Sequence, residues 1–351
     1  MHKMSIVILA CAALVGCASA PVATARKNPV AAKEPAWVMS PREAFPEAQY
    51  VAASASGSSK EAAERSALGA LVAIFGQSVK GDTTVSYRYS EALKSGAIVM
   101  SEDQAIDSAV QTSYDLDTVV GAEIKETWFD GKSTTWAVAV MDKGKGTILY
   151  TDLIEKNEAA IAKLVDIPAD EKNTLDAYAR LDLAATIAET NGRFLNVLSV
   201  LSPAAAAAKR GSMRSAEDLK VECVKLAQTI PVSVSVAGDS EGRIQAAFSG
   251  VLSQSGFKTG GKNSRYELAV KISMSPVTLG DNPNKFVRYV VDASLTDTKT
   301  GNVLLPYSTS GREGHTTVPE AENRAIRAAE KKIKDDYLAK FGDFLAQLSA
   351  K

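Results

Sequence analysis

Residues 118–141 read TVVGAEIKETWF, then Asp130-Gly131, then KSTTWAVAVM. Two runs rich in β-branched and aromatic side chains flank an Asp-Gly pair, the dipeptide that most readily reverses a chain between antiparallel strands. The stretch predicts strands over Thr118–Phe129 and Ser133–Met141, followed by a helix from about Thr147 to Val165. Upstream, Ala48–Ser56 is a strand of small residues centred on Tyr50 and Val51. Ser58 and Glu61 then have the S-x-x-E spacing of a capping box, and Leu68, Leu71, Val72, Phe75 and Val79 recur at helical intervals. Ser101 to Tyr114 opens with the same spacing, at Ser101 and Gln104, and reads as a second helix. The order is strand, helix, helix, strand, strand, helix.

A second unit of similar order lies downstream. Residues 168–195 carry Leu175, Tyr178, Leu181, Leu183 and Ile187 on one broad helical face, which is expected to end near Asn191-Gly192. Pro203, the alanine run 204–208 and Lys209-Arg210-Gly211-Ser212 lead into a helix with Leu219, Cys223, Leu226 and Ile230 at core spacing. There follow a strand, Val232–Val236, a helix from Glu241 to about Ser255, strands near Tyr266–Met274, Phe286–Thr296 and Val303–Gly311, and a long amphipathic helix, Glu320–Leu348. The fold class is α+β: two small mixed α/β-sheet domains, 37–165 and 215–351, joined by a helical connector over 166–214. The second unit resembles small periplasmic adaptor domains such as the TolB amino-terminal domain in its order of elements alone.

The chain has 351 residues, enough for two cores without disulfide staples. Its 40 Lys and Arg against 41 Asp and Glu leave a net charge of −1, without the basic excess a phosphate backbone demands, so nucleic acid is not an expected partner. Of its two histidines only His315 lies outside the leader, which excludes two-histidine zinc sites within one chain and weakens histidine-based nucleophile activation.

Residues 1–16 have the form of a signal peptide, with Lys3 ahead of an apolar stretch from Ile6 to Val15 that is shorter than the roughly 20 residues needed to cross a bilayer. Leu14-Val15-Gly16-Cys17 is similar to the lipobox of bacterial lipoproteins, which implies lipidation at Cys17 and leaves Cys223 as the one free thiol. Ala18 in place of Asp implies outer-membrane sorting. Through residue 36 the chain has Pro21, Pro29 and Pro35 and no periodicity, the pattern of a tether reaching about 25 Å.

Pro35-Ala36-Trp37, the early strand, the helix KEAAERSALGALVAIF (60–75) and the strand WAVAVMDK (136–143) together resemble the Lpp-twenty, or FlgP-type, family of bacterial outer-membrane lipoproteins over roughly residues 33–165. The chain departs from that family's glycine-rich pattern after the first strand, where Val51–Gly57 has glycine only at its end. The resemblance implies a non-enzymatic envelope or surface protein and carries over no catalytic residue.

Several motifs invite chemistry and fall short of it. Gly256 to Asn263 nearly spells a phosphate-binding loop, but Asn263 replaces the magnesium-ligating hydroxyl, and the segment runs from helix to strand rather than strand to helix. Cys223 repeats with Leu219, Leu226 and Ile230, the place of a small core residue rather than a nucleophile. His315 has no nucleophile beside it and reads as an exposed loop residue, and Asp281-Asn-Pro-Asn284 as a polar turn without the acidic set of a calcium loop. Trp37, at the exit of the tether, either seals the first core or faces a partner. The last helix interleaves Arg324, Arg327, Lys331, Lys332 and Lys334 with acidic residues, as a solvated face does.

The expectation is an outer-membrane lipoprotein facing the periplasm. It would contact the membrane through the lipid on Cys17, bind other envelope proteins as a scaffold or assembly factor, and need no cofactor or metal. The alternative is a periplasmic hydrolase acting on envelope polymer, for which serines, lysines and carboxylates are available but unplaced.

Overall fold

The structure, a computed structural model, describes residues 33–76, 83–96, 98, 119–261, 264–280 and 282–349. Two short helical turns, α1 (Ala36–Met39) and α2 (Pro41–Ala44), precede β1 (Tyr50–Gly57), α3 (Lys60–Phe75), α4 (Thr83–Lys94), β2 (Glu123–Phe129), β3 (Thr135–Asp142) and α5 (Lys143–Val165). The middle of the chain is helical: α6 (Leu175–Leu201), α7 (Pro203–Arg210) and α8 (Ala216–Thr229). Then come β4 (Pro231–Ala237), α9 (Arg243–Gln254), β5 (Lys258–Thr259), β6 (Tyr266–Val277), β7 (Lys285–Asp297), β8 (Asn302–His315), α10 (Val318–Lys332) and α11 (Leu338–Leu348). The chain is thus of mixed α and β structure with two sheets. The expected helix over Ser101–Tyr114 and the expected Val79 position lie outside the described residues.

The first sheet is antiparallel, in the order β1-β3-β2. The Asp-Gly pair opens a longer connection than the two-residue turn that its sequence favours. Strand pairing stops at Phe129 and Thr135, and the Asp130 carboxylate accepts hydrogen bonds from the backbone N–H groups of Lys132, Ser133 and Thr134 at 2.8–3.0 Å. Those bonds, that to Thr134 first, hold the Asp130 carboxyl below its ordinary pKa.

Alanines set the spacing of this layer. Ala53, Ala137 and Ala139 on the sheet meet Ala63 and Ala67 on α3, and all five are buried. Gly57 allows the same approach at the strand end, because a Cβ there would stand 2.4 Å from the Ala63 nitrogen. The N-cap of α3 is Ser59 rather than the expected Ser58: its hydroxyl accepts from Ala62 N–H at 3.2 Å. Helix α5 starts earlier than its apolar pattern, at Lys143, because the Asp142 side chain accepts from Lys145 N–H at 2.8 Å.

The second sheet runs β5-β4-β6-β7-β8, with β4 parallel to both β5 and β6 and the remaining pairs antiparallel. Period-two burial is regular along β6 and β7. Tyr266, Leu268, Val270 and Ile272, and Val287, Tyr289, Val291, Ala293 and Leu295, face a core closed by α9, α10 and α11.

The expected single helix over 320–348 is two α-helices joined by a π turn, Ile333–Tyr337. Its buried residues explain the turn: Ala321, Ala325, Ala329, Ile333, Tyr337, Phe341 and Leu345 recur at every fourth position. A spacing of four overruns the 3.6-residue turn by about 0.4 residue each time, and the one residue inserted by the π turn takes up part of that drift midway along the stripe.

Helix α6 binds the two units to each other. It extends to Leu201, past the Asn191-Gly192 pair where it was expected to stop, because Asn191 is fully buried and hydrogen-bonded to Asn157 and Glu158 of α5. Its first backbone N–H, at Leu175, donates to the Tyr266 hydroxyl of the second sheet at 3.1 Å, whereas Leu181 to Leu201 pack into the first core. Helix α8 is shared as well: Leu219 and Cys223 belong to the first core, Ala227 and the Ile230 that follows its last turn to the second.

Candidate functional site

The central strand β3 has no polar face. From Ala137 to Met141 every residue is buried, so a sheet covered on one side by α3 must also be covered on the other. The segment that precedes β1 does this. Trp37 and Val38 of α1 lie on the far face against Val138 and Val140, joined by Phe45, Tyr50, Ala52, Trp128 and Trp136. Trp128 and Trp136 are direct cross-strand neighbours, and the Phe45 and Tyr50 rings meet edge to face at 5.9 Å.

Two hydrogen bonds lock this strap. The Ser54 hydroxyl donates to the Val38 carbonyl at 3.0 Å, and the Trp37 Nε1–H donates to Glu126 Oε2 at 2.7 Å. Glu126 can reach Trp37 because the β2–β3 register shifts between Ile124 and Glu126, which places Glu126 opposite Val138 on the strap face. Trp37, 3% exposed, therefore presents its indole to the chain's own sheet. The signal for this lay in WAVAVM, whose lack of polar alternation requires cover on both sides.

The other residues singled out by sequence are scattered. Cys17 lies outside the described residues, as do Lys262, Asn263 and Asp281. Gly256 closes α9 at φ 86°, and the segment after it enters β5, so the loop runs from helix to strand. Asn282 accepts from Asn284 N–H at 2.9 Å, a local turn. His315 is the last residue of β8, opposite Lys285, and is half-buried rather than in an exposed loop. Cys223 is buried beside α6, and its thiol is pushed up to about 12, first by burial and then by the Asp182 charge. Among the described residues no three His, Cys, Asp or Glu side chains are grouped to hold a metal ion.

Two arrangements had no sequence expectation. A buried polar chain crosses three helices: Tyr89 Oη donates to Asn157 Oδ1 at 2.8 Å, Asn157 Nδ2 to Asn191 Oδ1 at 2.7 Å, and Asn191 Nδ2 to Glu158 Oε1 at 2.9 Å. A cleft of about 400 Å³ between α4, α6 and α11 is lined by Tyr87, Arg88, Glu91, Leu183, Asp343 and Gln347, with Arg88 paired to Asp182 at 2.5 Å. Only the polar chain left a trace in sequence, an asparagine within the apolar stripe Leu153, Ile154, Ile161 of α5.

No family model matches the chain, and no curated protein does. Among solved structures, a minor lipoprotein from Acinetobacter baumannii is 16% identical with a TM-score of 0.25, over 34% of this chain and 93% of that one. A lipoprotein from Caulobacter crescentus is 18% identical with a TM-score of 0.23, over 33% of this chain and 88% of its own. A secreted protein from Helicobacter pylori is 12% identical with a TM-score of 0.42, over 81% of this chain and 97% of that one. These are likenesses, and none assigns the chain to a family or a role.

Proposed function

We propose that the protein is an outer-membrane-anchored lipoprotein facing the periplasm, acting without catalysis as a scaffold or assembly factor, accessory to a flagellar or secretion apparatus. The observation that supports this most directly is the continuity between anchor and body. Sixteen residues separate Cys17 from Glu34, and the chain then enters the strap, where Trp37 is pinned to Glu126. A load on the lipid would reach the sheet through those sixteen residues and the strap. The resemblance of residues 33–165 to the Lpp-twenty family agrees with this role.

The anchor is tested by Cys17→Ser. Loss of the single lipidation thiol should move the protein out of the membrane fraction, since among the described residues no helix is long and apolar enough to cross a membrane. Full retention in that fraction would remove the reading. Crosslinking in intact cells should capture a structural envelope component, whereas turnover of envelope polymer by the purified protein would favour a hydrolase.

A further inference from the structure

The sheet edges of this molecule are treated unequally. Strand β2 carries Glu123, Lys125 and Glu126 and a register shift. Strand β8 has Pro306, a register shift near Val303, and carbonyls occupied from α10, Ser310 by Lys332 Nζ at 2.9 Å and Gly314 by Arg324 at 3.4 Å. Strand β5 is two residues long. Each is a device that blunts an edge against further pairing. Strand β1, Tyr50-Val-Ala-Ala-Ser-Ala-Ser-Gly57, has none: no charge, no proline and an unbroken register against β3.

Among the described residues, the groups of β1 that nothing engages can be named. Gln49 accepts from Lys143 N–H at 2.8 Å, so odd-numbered residues bond toward β3 and the peptide groups of Ala52, Ser54 and Ser56 point away from it. The Tyr50 N–H is already bonded to the Pro46 carbonyl at 2.9 Å. Beside this edge lies a groove of about 140 Å³ lined by Arg42, Phe45, Tyr50, Ala52, Ile74 and Val200, in which Ile74 is 45% exposed.

We propose that the free edge of β1 pairs antiparallel with β1 of a second copy, joining two three-stranded sheets into one of six strands. Self-pairing suits this strand because it brings no like charges together. With Ser54 opposite Ser54, Ala52 stands opposite Ser56, so all three free peptide units on each copy find partners and no bulky side chain intervenes. The two-fold axis of such a pair is normal to the sheet, which leaves both straps on the same face. Both tethers then leave toward one side and reach one bilayer. This last point rests on the anchoring proposed above; the pairing itself does not.

Single cysteines test it in the full chain in cells, since Cys223 is buried and Cys17 would be lipidated. Ser54→Cys, which gives up the hydroxyl's bond to the Val38 carbonyl but leaves Trp37 pinned to Glu126, should give a disulfide-linked homodimer under mild oxidation, because directly opposed residues lie about 5.5 Å apart between Cα atoms, within disulfide reach. Ser56→Cys, displaced by about four residues from its own copy, should not. In sedimentation of the detergent-solubilised full chain, Ser56→Pro, which deletes a solvent-facing N–H in each copy, should weaken dimerisation about tenfold or more with the thermal midpoint unchanged. A monomer at all concentrations without a Ser54→Cys homodimer overturns the proposal. So does linkage of Ser54→Cys to a different protein. A Cys17→Ser chain that stays in the membrane fraction yet still links through Ser54→Cys would refute the anchoring and retain the pairing.

Discussion

Trp37 shows how much one side chain carries. It fills the face that β3 cannot leave wet, and its single polar atom is satisfied by Glu126. Trp37→Ala should lower the unfolding free energy by about 3–5 kcal/mol, and Trp37→Phe, which keeps most of the packing and loses the hydrogen bond, by about 1–2 kcal/mol. Denaturant titration measures both, and a Trp37→Phe chain as stable as the parent would mean that the bond to Glu126 contributes nothing. Cys223 shows the opposite case, a thiol made inert by its surroundings. Burial raises its pKa, and burial likewise raises those of Tyr178, Tyr266, Tyr289, Tyr307 and Tyr337. For each, the unfolded chain releases its proton at lower pH than the folded one, so stability is intact below about pH 9 and falls as pH rises toward 12. Unfolding free energies measured across that window should decline, with Cys223→Ala removing the earliest part. A flat profile would contradict the burial of these groups.

At the scale of elements, helix packing in the first unit depends on polar contacts as well as on apolar stripes. Tyr89, Asn157 and Asn191 are fully buried, and each satisfies the next across α4, α5 and α6. Removing the central member breaks two buried hydrogen bonds. Asn157→Ala should therefore cost about 2–4 kcal/mol, and adding Asn191→Ala should cost clearly less than the sum of the single effects. Additive losses in equilibrium unfolding would show that the residues act separately. The closing helix makes a related point about spacing. Its buried positions were legible as amphipathic, but four-residue spacing over seven positions drifts around a regular α-helix, and the π turn takes up part of that drift.

For the molecule as a whole, the question is whether two sheets mean two separable bodies. Gly211 and Ser212, between α7 and α8, are exposed, and Lys209-Arg210 before them offers trypsin a site. Yet α7 is held by Ala206, 2% exposed, and by the ion pair of Lys209 with Glu155, while α6 and α8 each contribute to both cores. Brief digestion should cut near Arg210 and leave two fragments that co-elute in native size exclusion and separate only in denaturant. Fragments that part without denaturant would show that the shared helices do not hold the units together.

The amino-acid sequence alone was sufficient for the class of the fold and the order of most of its elements, because hydrophobic period, caps and Asp-Gly turns act over a few residues. It also held the leader and the Leu14–Cys17 motif, which are linear signals needing no fold to be read. Helix α4, the five-residue loop after Phe129 and the true end of α6 were not legible, because each depends on what packs against it. Asn191-Gly192 is a stop signal by local propensity, and it continues as helix because Asn157 and Glu158 of α5 satisfy the Asn191 side chain there. The same holds for Trp37. Sequence placed it at the end of a tether, and only the register of β2 against β3, shifted by one residue so that Glu126 meets the strap, decided that its indole turns inward.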